Sequence, residues 1–537
     1  MRLIGFLILL ASISFPVFSA MDVGSPTVIP TPERKAEEGK GPYERLIIRN
    51  AMVVDGTGAP PVGPMDIVIE GNRITEMVNV TEQGAILGAV RPGGASEEID
   101  ANGGYVLPGL VNVHVHSPVF WGVSAEYAYK LWLAHGVTTV RGVPAGPLEW
   151  AVEEKNRSAK NEIVAPRLVV YQGMGFGNAW KGRKVLTPED ARKWVRYAKK
   201  QGVDGVKTYG LSKAAPEVSF AAWDEAKKQG MGSLAHLGQM EVAAMNARDA
   251  AEHGLSGMTH FYGLFESLYK DHDLQPFPTD YNYDHEEDRF GQVARQWKLV
   301  HERGSKEWQA LLDEFLKLDF YMSPTFEIYN AGRDLMRAQH LEWLDKYTLP
   351  VIAKSFETGR SNHMAYFFDW TTADEVAWKK FYQVWMDFVN DYKNLGGKVT
   401  FGTDAGFSYS LYGFSAIGEL ELLQEAGFHP LEVIRSATMY SAMEIAKPSG
   451  KAIEYGVLRP GMLADMLIVD QNPLQNFKVL YGTGTQRYNF ETKKMERVGG
   501  VRYTIKDGIV YDAKELLAEV AEMVAEEKIN QEKGVRQ

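Results

Sequence analysis

The stretch GLVNVHVH, residues 109 to 116, alternates apolar and polar side chains and ends in two histidines, His114 and His116. Side chains two apart on a strand point to the same side. Both imidazoles can therefore meet one cation. The pair closes this run, so it would stand at the C-terminal end of a strand.

Seven further short apolar runs follow, and most are separated by helical patterns. Strands that alternate with helices indicate a parallel sheet. Eight such strands over roughly 300 residues predict an α/β fold of the TIM type, a (β/α)8 barrel. The eight runs lie at residues 109 to 116, 138 to 143, 167 to 173, 202 to 210, 231 to 237, 256 to 261, 320 to 326 and 398 to 406.

Two β-rich segments flank these runs, and a turn at Gly71 and Asn72 joins two of their strands. Period-two patterning predicts antiparallel strands that close one small β-sandwich from both ends of the chain. A helix is predicted over residues 514 to 528. The predicted organisation is a signal peptide (1 to 20), a linker (21 to 42), the N-terminal segment of the sandwich (43 to 106), the barrel (107 to 447), the C-terminal segment of the sandwich (448 to 513), and a C-terminal helix and tail (514 to 537).

The first twenty residues read MRLIGFLILLASISFPVFSA, with one arginine, an apolar run, Pro16, and small residues at Ser19 and Ala20. This layout is typical of a secretory signal peptide. A membrane anchor is the alternative, but the run is shorter than the ~20 residues that span a bilayer. We expect a periplasmic or secreted protein with no stable membrane insertion after signal removal.

The amino-acid composition excludes several kinds of metal site, nucleophile and partner. The 537 residues include no cysteine, which excludes disulfides, thiolate metal sites and a thiol nucleophile. A metal must then be held by His, Asp, Glu or a modified Lys. The 58 basic and 69 acidic residues give a formal net charge of -11. Nucleic-acid binders usually carry an excess of basic residues, and this chain has an excess of acidic ones, so no nucleic-acid partner is expected.

Titratable side chains stand at the ends of four further runs. Lys207 is near the end of the fourth, His236 of the fifth, His260 of the sixth and Asp404 of the eighth. In a barrel these ends open onto one mouth. A single histidine or lysine at a strand end is more often an ordinary polar residue. The set of six, with the histidine pair, predicts a metal site.

Nine stretches carry a family resemblance: NAMVVDGTG, PGLVNVHVH, GVTTVRG, GVDGVKTY, LAHL, HGLSGMTHF, GTDAG, LLQEAGFHPLEVIRSATMYSA and GVLRPGMLADMLIVDQNPL. They resemble the amidohydrolase superfamily, specifically its imidazolonepropionase-like and prolidase-like metal-dependent hydrolases, over residues 43 to 513. The resemblance implies a barrel that carries a sandwich and binds two divalent metal ions. It assigns the ligands as follows: His114, His116 and Asp404 for one ion, His236 and His260 for the other, and a carboxylated Lys207 as the bridge.

The implied activity is hydrolysis of a C–N bond in an amide or peptide-like small molecule by a metal-bridging hydroxide. Zinc suits the His-rich set best, although manganese or iron would also fit. Metal binding lowers the pKa of water towards ~7. Asp404 then serves as general base and afterwards as general acid to the leaving nitrogen. Tyr209 and Arg141 lie near the expected mouth and could orient a carbonyl or carboxylate, but packing and a structural ion pair are equally open.

Several alternatives stay open. Arg141-Gly142 and the sequence KTYGLSK after the lysine strand depart from common family patterns, which weakens any transfer of substrate identity. The runner-up is a mononuclear cyclic-amide hydrolase or deaminase, and Lys207 favours the binuclear form over it. A lactone or ester hydrolase and a non-catalytic small-molecule-binding relative are further alternatives. The long segments after His260 and Thr325 are equally suited to cover a substrate or to form packing or oligomer surface, and a homo-oligomer is a family-level expectation.

Overall fold

The computed structural model describes residues 28–143, 146–181, 183–209, 215–239, 242–271 and 274–534. The predicted signal peptide, residues 1 to 20, lies outside these ranges, as does the linker up to residue 27. Within the described ranges, every helix is too short or too polar to cross a bilayer.

Among the described residues, the strands fall into three sheets. In chain order they are β1 (Leu46–Val53), β2 (Val62–Glu70), β3 (Arg73–Asn79), β4 (Glu97–Asp100), β5 (Tyr105–Pro108), β6 (Leu110–Val115), β7 (Val137–Gly142), β8 (Arg167–Gly173), β9 (Gly205–Tyr209), β10 (Gly232–His236), β11 (Gly257–Thr259), β12 (Tyr321–Ser323), β13 (Lys398–Val399), β14 (Met466–Val469), β15 (Thr485–Asn489), β16 (Lys494–Val498), β17 (Val501–Lys506) and β18 (Ile509–Asp512).

Helices follow each strand from β6 to β13. The α-helices are α1 (Glu82–Ile86), α2 (Glu126–Ala134), α3 (Leu148–Ala159), α4 (Pro188–Gln201), α5 (Pro216–Lys228), α6 (Ala247–Glu252), α7 (Glu286–Ala294), α8 (Lys306–Lys317), α9 (Phe326–Tyr329), α10 (Leu335–Gln339), α11 (Leu344–Tyr347), α12 (Pro350–Ser355), α13 (Thr372–Asn394), α14 (Phe414–Glu425), α15 (Pro430–Arg435), α16 (Ser441–Ala446) and α17 (Ala513–Glu532).

The central sheet contains β6 to β13 in chain order, and all its neighbours pair in parallel. Each strand falls on one of the eight predicted runs. The sheet curls so that its two ends meet: Val113 N–H donates to Phe401 C=O at 2.8 Å, and Asp404 N–H donates to His114 C=O at 2.9 Å. This arrangement is consistent with the predicted (β/α)8 barrel.

The second large sheet joins the two ends of the chain. Its order is β18-β17-β14-β5-β1-β2-β3, with β4 paired to β1. The turn between β2 and β3 lies at the predicted Gly71 and Asn72. The predicted union of both termini is therefore observed, whereas a two-sheet sandwich is not confirmed. Buried ion pairs fasten this sheet to the barrel, since Arg167 of β8 lies 3.0 Å from Asp465 and 2.6 Å from Asp507.

The segments after β11 and β12 pack on each other beside the barrel. Glu286 N–H donates to Arg360 C=O at 2.8 Å, and the Glu286 carboxylate lies 3.0 Å from His363 Nδ1. Trp378 of α13 is fully buried, stacks on Tyr329 at 5.8 Å, and stands edge-on to Phe261, which lies after β11, at 6.0 Å. This tryptophan belongs to the packing of the two segments, one of the two roles that the sequence left open for them.

Candidate metal centre

Strand ends of the barrel supply six side chains predicted from sequence. His114 lies in β6 and His116 one residue beyond it, Lys207 lies in β9, His236 ends β10, and His260 directly follows β11, while Asp404 follows β13. Because parallel strands present their C-terminal ends at one edge, these residues reach a common region.

Asp404 stands among three imidazoles. Its Oδ1 atom lies 2.9 Å from His116 Nε2 and 3.3 Å from His114 Nε2, and its Oδ2 atom lies 3.5 Å from His260 Nε2. One ligand atom from each of His114, His116 and Asp404 lies within 4.8 Å of the others. A carboxylate and two imidazoles this close form a set that one divalent cation can bind.

His236 and Lys207 complete the cluster. The His236 ring centroid lies 4.8 Å from that of His260, which in turn lies 5.0 Å from that of His114. Lys207 is only 1% exposed, and its Nζ atom lies 5.5 Å from the Tyr209 ring centroid. Burial lowers the pKa of Lys207 to about 7, against the opposing attraction of Asp404. A neutral amine is thus accessible near neutral pH.

The protonation states also suit a cation. Burial lowers the pKa of His114 and of His236 well below the ordinary value, and it lowers the pKa of His260 to about 3. Burial alone would raise the pKa of Asp404, but its contacts with His114 and His116 hold that pKa well below the usual range. Neutral imidazoles and an ionised carboxylate are the forms that bind metals.

Several polar atoms at this site have no hydrogen-bond partner among the described residues. They are both ring nitrogens of His114, His260 Nε2 and Asp404 Oδ1, all buried. Buried polar atoms normally find a partner, so converging lone pairs of this kind fit a divalent ion. The residues present therefore match the chemistry of the implied metal.

Two of these side chains are presented by an unusual backbone conformation. His260 has φ 64° and Asp404 has φ 54°, in the left-handed region that non-glycine residues rarely adopt. Asn112 holds the first and last strands together, because its side-chain oxygen accepts from His114 N–H and Thr403 N–H, both at 3.2 Å. Its amide donates to Thr403 Oγ1 at 2.9 Å.

The two candidate substrate residues differ in their surroundings. Tyr209 ends β9 and is 40% exposed, which suits a residue at the mouth. Arg141 is 1% exposed; its Nε donates to Val113 C=O at 2.7 Å and its Nη1 to Glu444 Oε1 at 2.9 Å. The guanidinium of Arg141 is therefore engaged in a buried structural ion pair, and its substrate role stays a prediction.

A stability measurement distinguishes the two roles of Arg141. We expect Arg141→Met to lower the free energy of unfolding by about 3–5 kcal/mol, because it leaves the Glu444 carboxylate buried without its partner. Arg141→Met/Glu444→Gln should recover much of that loss, since both charges are then removed. Chemical denaturation of the two variants checks this. An Arg141→Met protein of unchanged stability but raised KM would instead indicate substrate binding.

Sequence reasoning missed three neighbours of the cluster. Thr325 Oγ1 lies 2.6 Å from His260 Nδ1, the Tyr329 ring stands edge-on to His260 at 5.6 Å, and the Phe407 ring stands edge-on to His116 at 5.4 Å. Thr325 lies within the seventh run, at the same relative position that identified His260 in the sixth. Applying the strand-end criterion to hydroxyl residues would have found it.

Comparison with known proteins gives local sequence matches and a shared fold. No protein-family model matches the chain. A 5-methylthioadenosine/S-adenosylhomocysteine deaminase of Desulforudis audaxviator (strain MP104C) is 35% identical over 104 residues, which is 19% of this chain and 22% of the deaminase. Adenine deaminase 2 of Rhizobium etli is 36% identical over 88 residues, 14% of this chain and 15% of that protein. The chain thus spans about a fifth or less of the curated relatives it matches.

A solved structure described as a Xaa-Pro dipeptidase with bound methionine in the active site is similar over most of the chain. The TM-score is 0.56 at 20% sequence identity, and the match covers 87% of this chain and 100% of the other. The structural match shows that the two chains share a fold.

Proposed function

We propose that this chain hydrolyses a C–N bond in a small molecule, on the premise that its deaminase matches and prolidase-like fold support an amidohydrolase-superfamily metal-dependent hydrolase. The observation that carries the proposal is the convergence of Asp404 with His114, His116 and His260 at one end of the barrel. Export is also proposed, supported by the signal-like pattern of residues 1 to 20.

Two divalent ions, zinc by the donor set, are proposed for this site. His114, His116 and Asp404 would hold one, and His236 and His260 the other. Lys207 would bridge them as a carbamate. Its buried amine, with a pKa of about 7, supports this, because a neutral amine can bond to the carbon of carbon dioxide and release its proton. The product is an anionic group with two oxygen donors.

Within that site, bound ions would lower the pKa of water and polarise the scissile carbonyl. Asp404 supplies the proton transfer. Its ionised carboxylate can accept a proton from the attacking water and pass it to the leaving nitrogen, first as general base and then as general acid. The His116 imidazole, 2.9 Å from that carboxylate, would hold the same ion. Tyr209, exposed at the end of β9, is proposed to contact the substrate.

Metal analysis tests the proposal directly. Protein purified without chelators should carry close to two divalent ions per chain by plasma mass spectrometry. Removing them with a chelator should abolish hydrolysis of a dipeptide and acyl-amino-acid panel, and added zinc or manganese should restore it. Full activity of metal-free protein would contradict the proposal.

A mononuclear deaminase is the second candidate, because both curated matches are deaminases. The two functions differ in products and in metal content. Aminopurines should release ammonia under the deaminase function, whereas dipeptides and acyl-amino acids should be cleaved under the first. Ammonia release together with one ion per chain would favour the deaminase. The buried Lys207 beside the histidines favours the binuclear hydrolase.

A further inference from the structure

Thr325 has an unusual backbone conformation and lies beside the cluster of candidate metal ligands. It is fully buried and lies two residues beyond β12, with φ 53°. A β-branched residue in the left-handed region is a genuine outlier, and such strain persists only where its surroundings enforce it. His260 directly follows the neighbouring strand β11 and also has a positive φ, and its N–H donates to Ser323 C=O at 3.1 Å. The two strained residues thus lie side by side.

The Thr325 hydroxyl makes two short contacts. Its Oγ1 atom lies 2.6 Å from Pro324 C=O and 2.6 Å from His260 Nδ1. A hydroxyl has one hydrogen to donate and lone pairs to accept with, whereas a carbonyl oxygen can only accept. The hydrogen must therefore point to Pro324, because two acceptors 2.6 Å apart would otherwise repel. The His260 contact then requires that Nδ1 carries the hydrogen and donates it to Thr325.

The hydrogen on Nδ1 determines the protonation of the other ring nitrogen of His260, Nε2. In a neutral imidazole one nitrogen is a donor and the other an acceptor. With the hydrogen on Nδ1, the Nε2 atom has a free lone pair. That atom is buried without a hydrogen-bond partner among the described residues, and it lies 3.5 Å from Asp404 Oδ2. The lone pair is therefore available inside the cluster.

We propose that Thr325 is a positioning residue that holds His260 in the tautomer protonated on Nδ1, so that Nε2 can bind a divalent cation. The role of the cation rests on the proposed function. The tautomer does not, because it follows from hydrogen-bond geometry within the chain. Partners of this kind fix the orientation and tautomer of metal-binding histidines.

The tautomer can be observed in the full chain without metal. Two-bond ¹H–¹⁵N correlation spectra report which nitrogen of each histidine ring is protonated. They are recorded on chelator-stripped protein that carries ¹⁵N-histidine with ¹H on the ring carbons in an otherwise deuterated chain. The His260 signals are assigned by their loss in His260→Gln. We expect Nδ1 of His260 to be protonated in the parent protein. Thr325→Val removes the acceptor but keeps the branched shape, so the Nε2-protonated form should appear. Thr325→Ser keeps the hydroxyl and should retain the parent tautomer.

Metal affinity supplies the second readout. Zinc affinity, measured by competition with a chromophoric chelator, should fall about 10- to 100-fold in Thr325→Val. Thr325→Ser should bind zinc close to the parent value. A role in packing alone would predict the opposite order, because valine matches the volume of threonine better than serine does. Thermal melting of each variant checks that the fold is retained.

Three outcomes would overturn the proposal. The first is a parent protein whose His260 is protonated on Nε2, a result that needs no variant and stands even where Thr325→Val fails to fold. The second is an unchanged tautomer and zinc affinity in Thr325→Val. The third is a Thr325→Ser protein that loses the parent tautomer. A parent chain that binds no divalent ion would instead contradict the proposed function and leave the tautomer measurement intact.

Discussion

Asp404→Asn should lower kcat for amide hydrolysis by about 10²- to 10⁴-fold, the range over which a positioned general acid or base contributes. Asparagine matches the shape of aspartate but cannot take up a proton at neutral pH. It also removes the negative charge that lies 2.9 Å from His116 Nε2 and 3.3 Å from His114 Nε2. The metal content should therefore fall as well, and both quantities are measured on the same preparation.

The control for Asp404→Asn is the same change at an exposed site. Asp313 lies on the solvent face of α8 and contacts Gln309 at 2.8 Å. Asp313→Asn should leave kcat and metal content at the parent values. A fall in kcat of less than tenfold in Asp404→Asn at full metal content would remove Asp404 from the role of proton carrier, because general acid–base catalysis contributes more than that.

Two strands near the candidate site end earlier than the sequence pattern predicts. The sixth run, residues 256 to 261, yields only Gly257–Thr259 as strand, and the eighth, residues 398 to 406, only Lys398–Val399. In both, the strand ends before the candidate ligand. His260 directly follows β11 and has a positive φ that a strand cannot contain, whereas residues 400 to 403 separate the end of β13 from Asp404. Hydrophobic periodicity continues through these residues, so the pattern predicts where strands begin better than where they end.

The candidate ligands were predictable because each lies near or beyond the C-terminal end of a strand in a repeating architecture. The contacts that support these residues were not predictable from the sequence. Arg141 pairs with Glu444, which is 303 residues away in sequence, and Asn112 bonds to Thr403, which is 291 residues away. A single sequence contains no signal that joins such pairs. Only the closing of β13 against β6 brings the residues of the second pair together.

Lys207→Ala should remove most of the second metal ion and lower hydrolytic activity by about 10²-fold or more. Loss of a hydrogen-bond partner to a metal ligand typically costs 10- to 100-fold in affinity or activity, and loss of a bridging ligand should cost at least as much. Metal content should fall from close to two ions towards one. Adding bicarbonate to metal-free parent protein should speed recovery of the second ion, and should have no effect on Lys207→Ala.

Lys207→Met is the matched control for folding, because it keeps an unbranched chain as far as Cε, with sulfur in place of Cδ, and removes the amine. Lys207 is 1% exposed, and the residues described contain no carboxylate within 4 Å of its Nζ atom. Burying an amine without an ion-pair partner is unfavourable, so metal-free Lys207→Met should melt at or above the temperature of the metal-free parent. The activity lost in both variants then reflects a missing ligand and not a damaged barrel. Two ions per chain and full activity in Lys207→Ala would rule out the bridging role and leave the histidines and Asp404 as the complete ligand set.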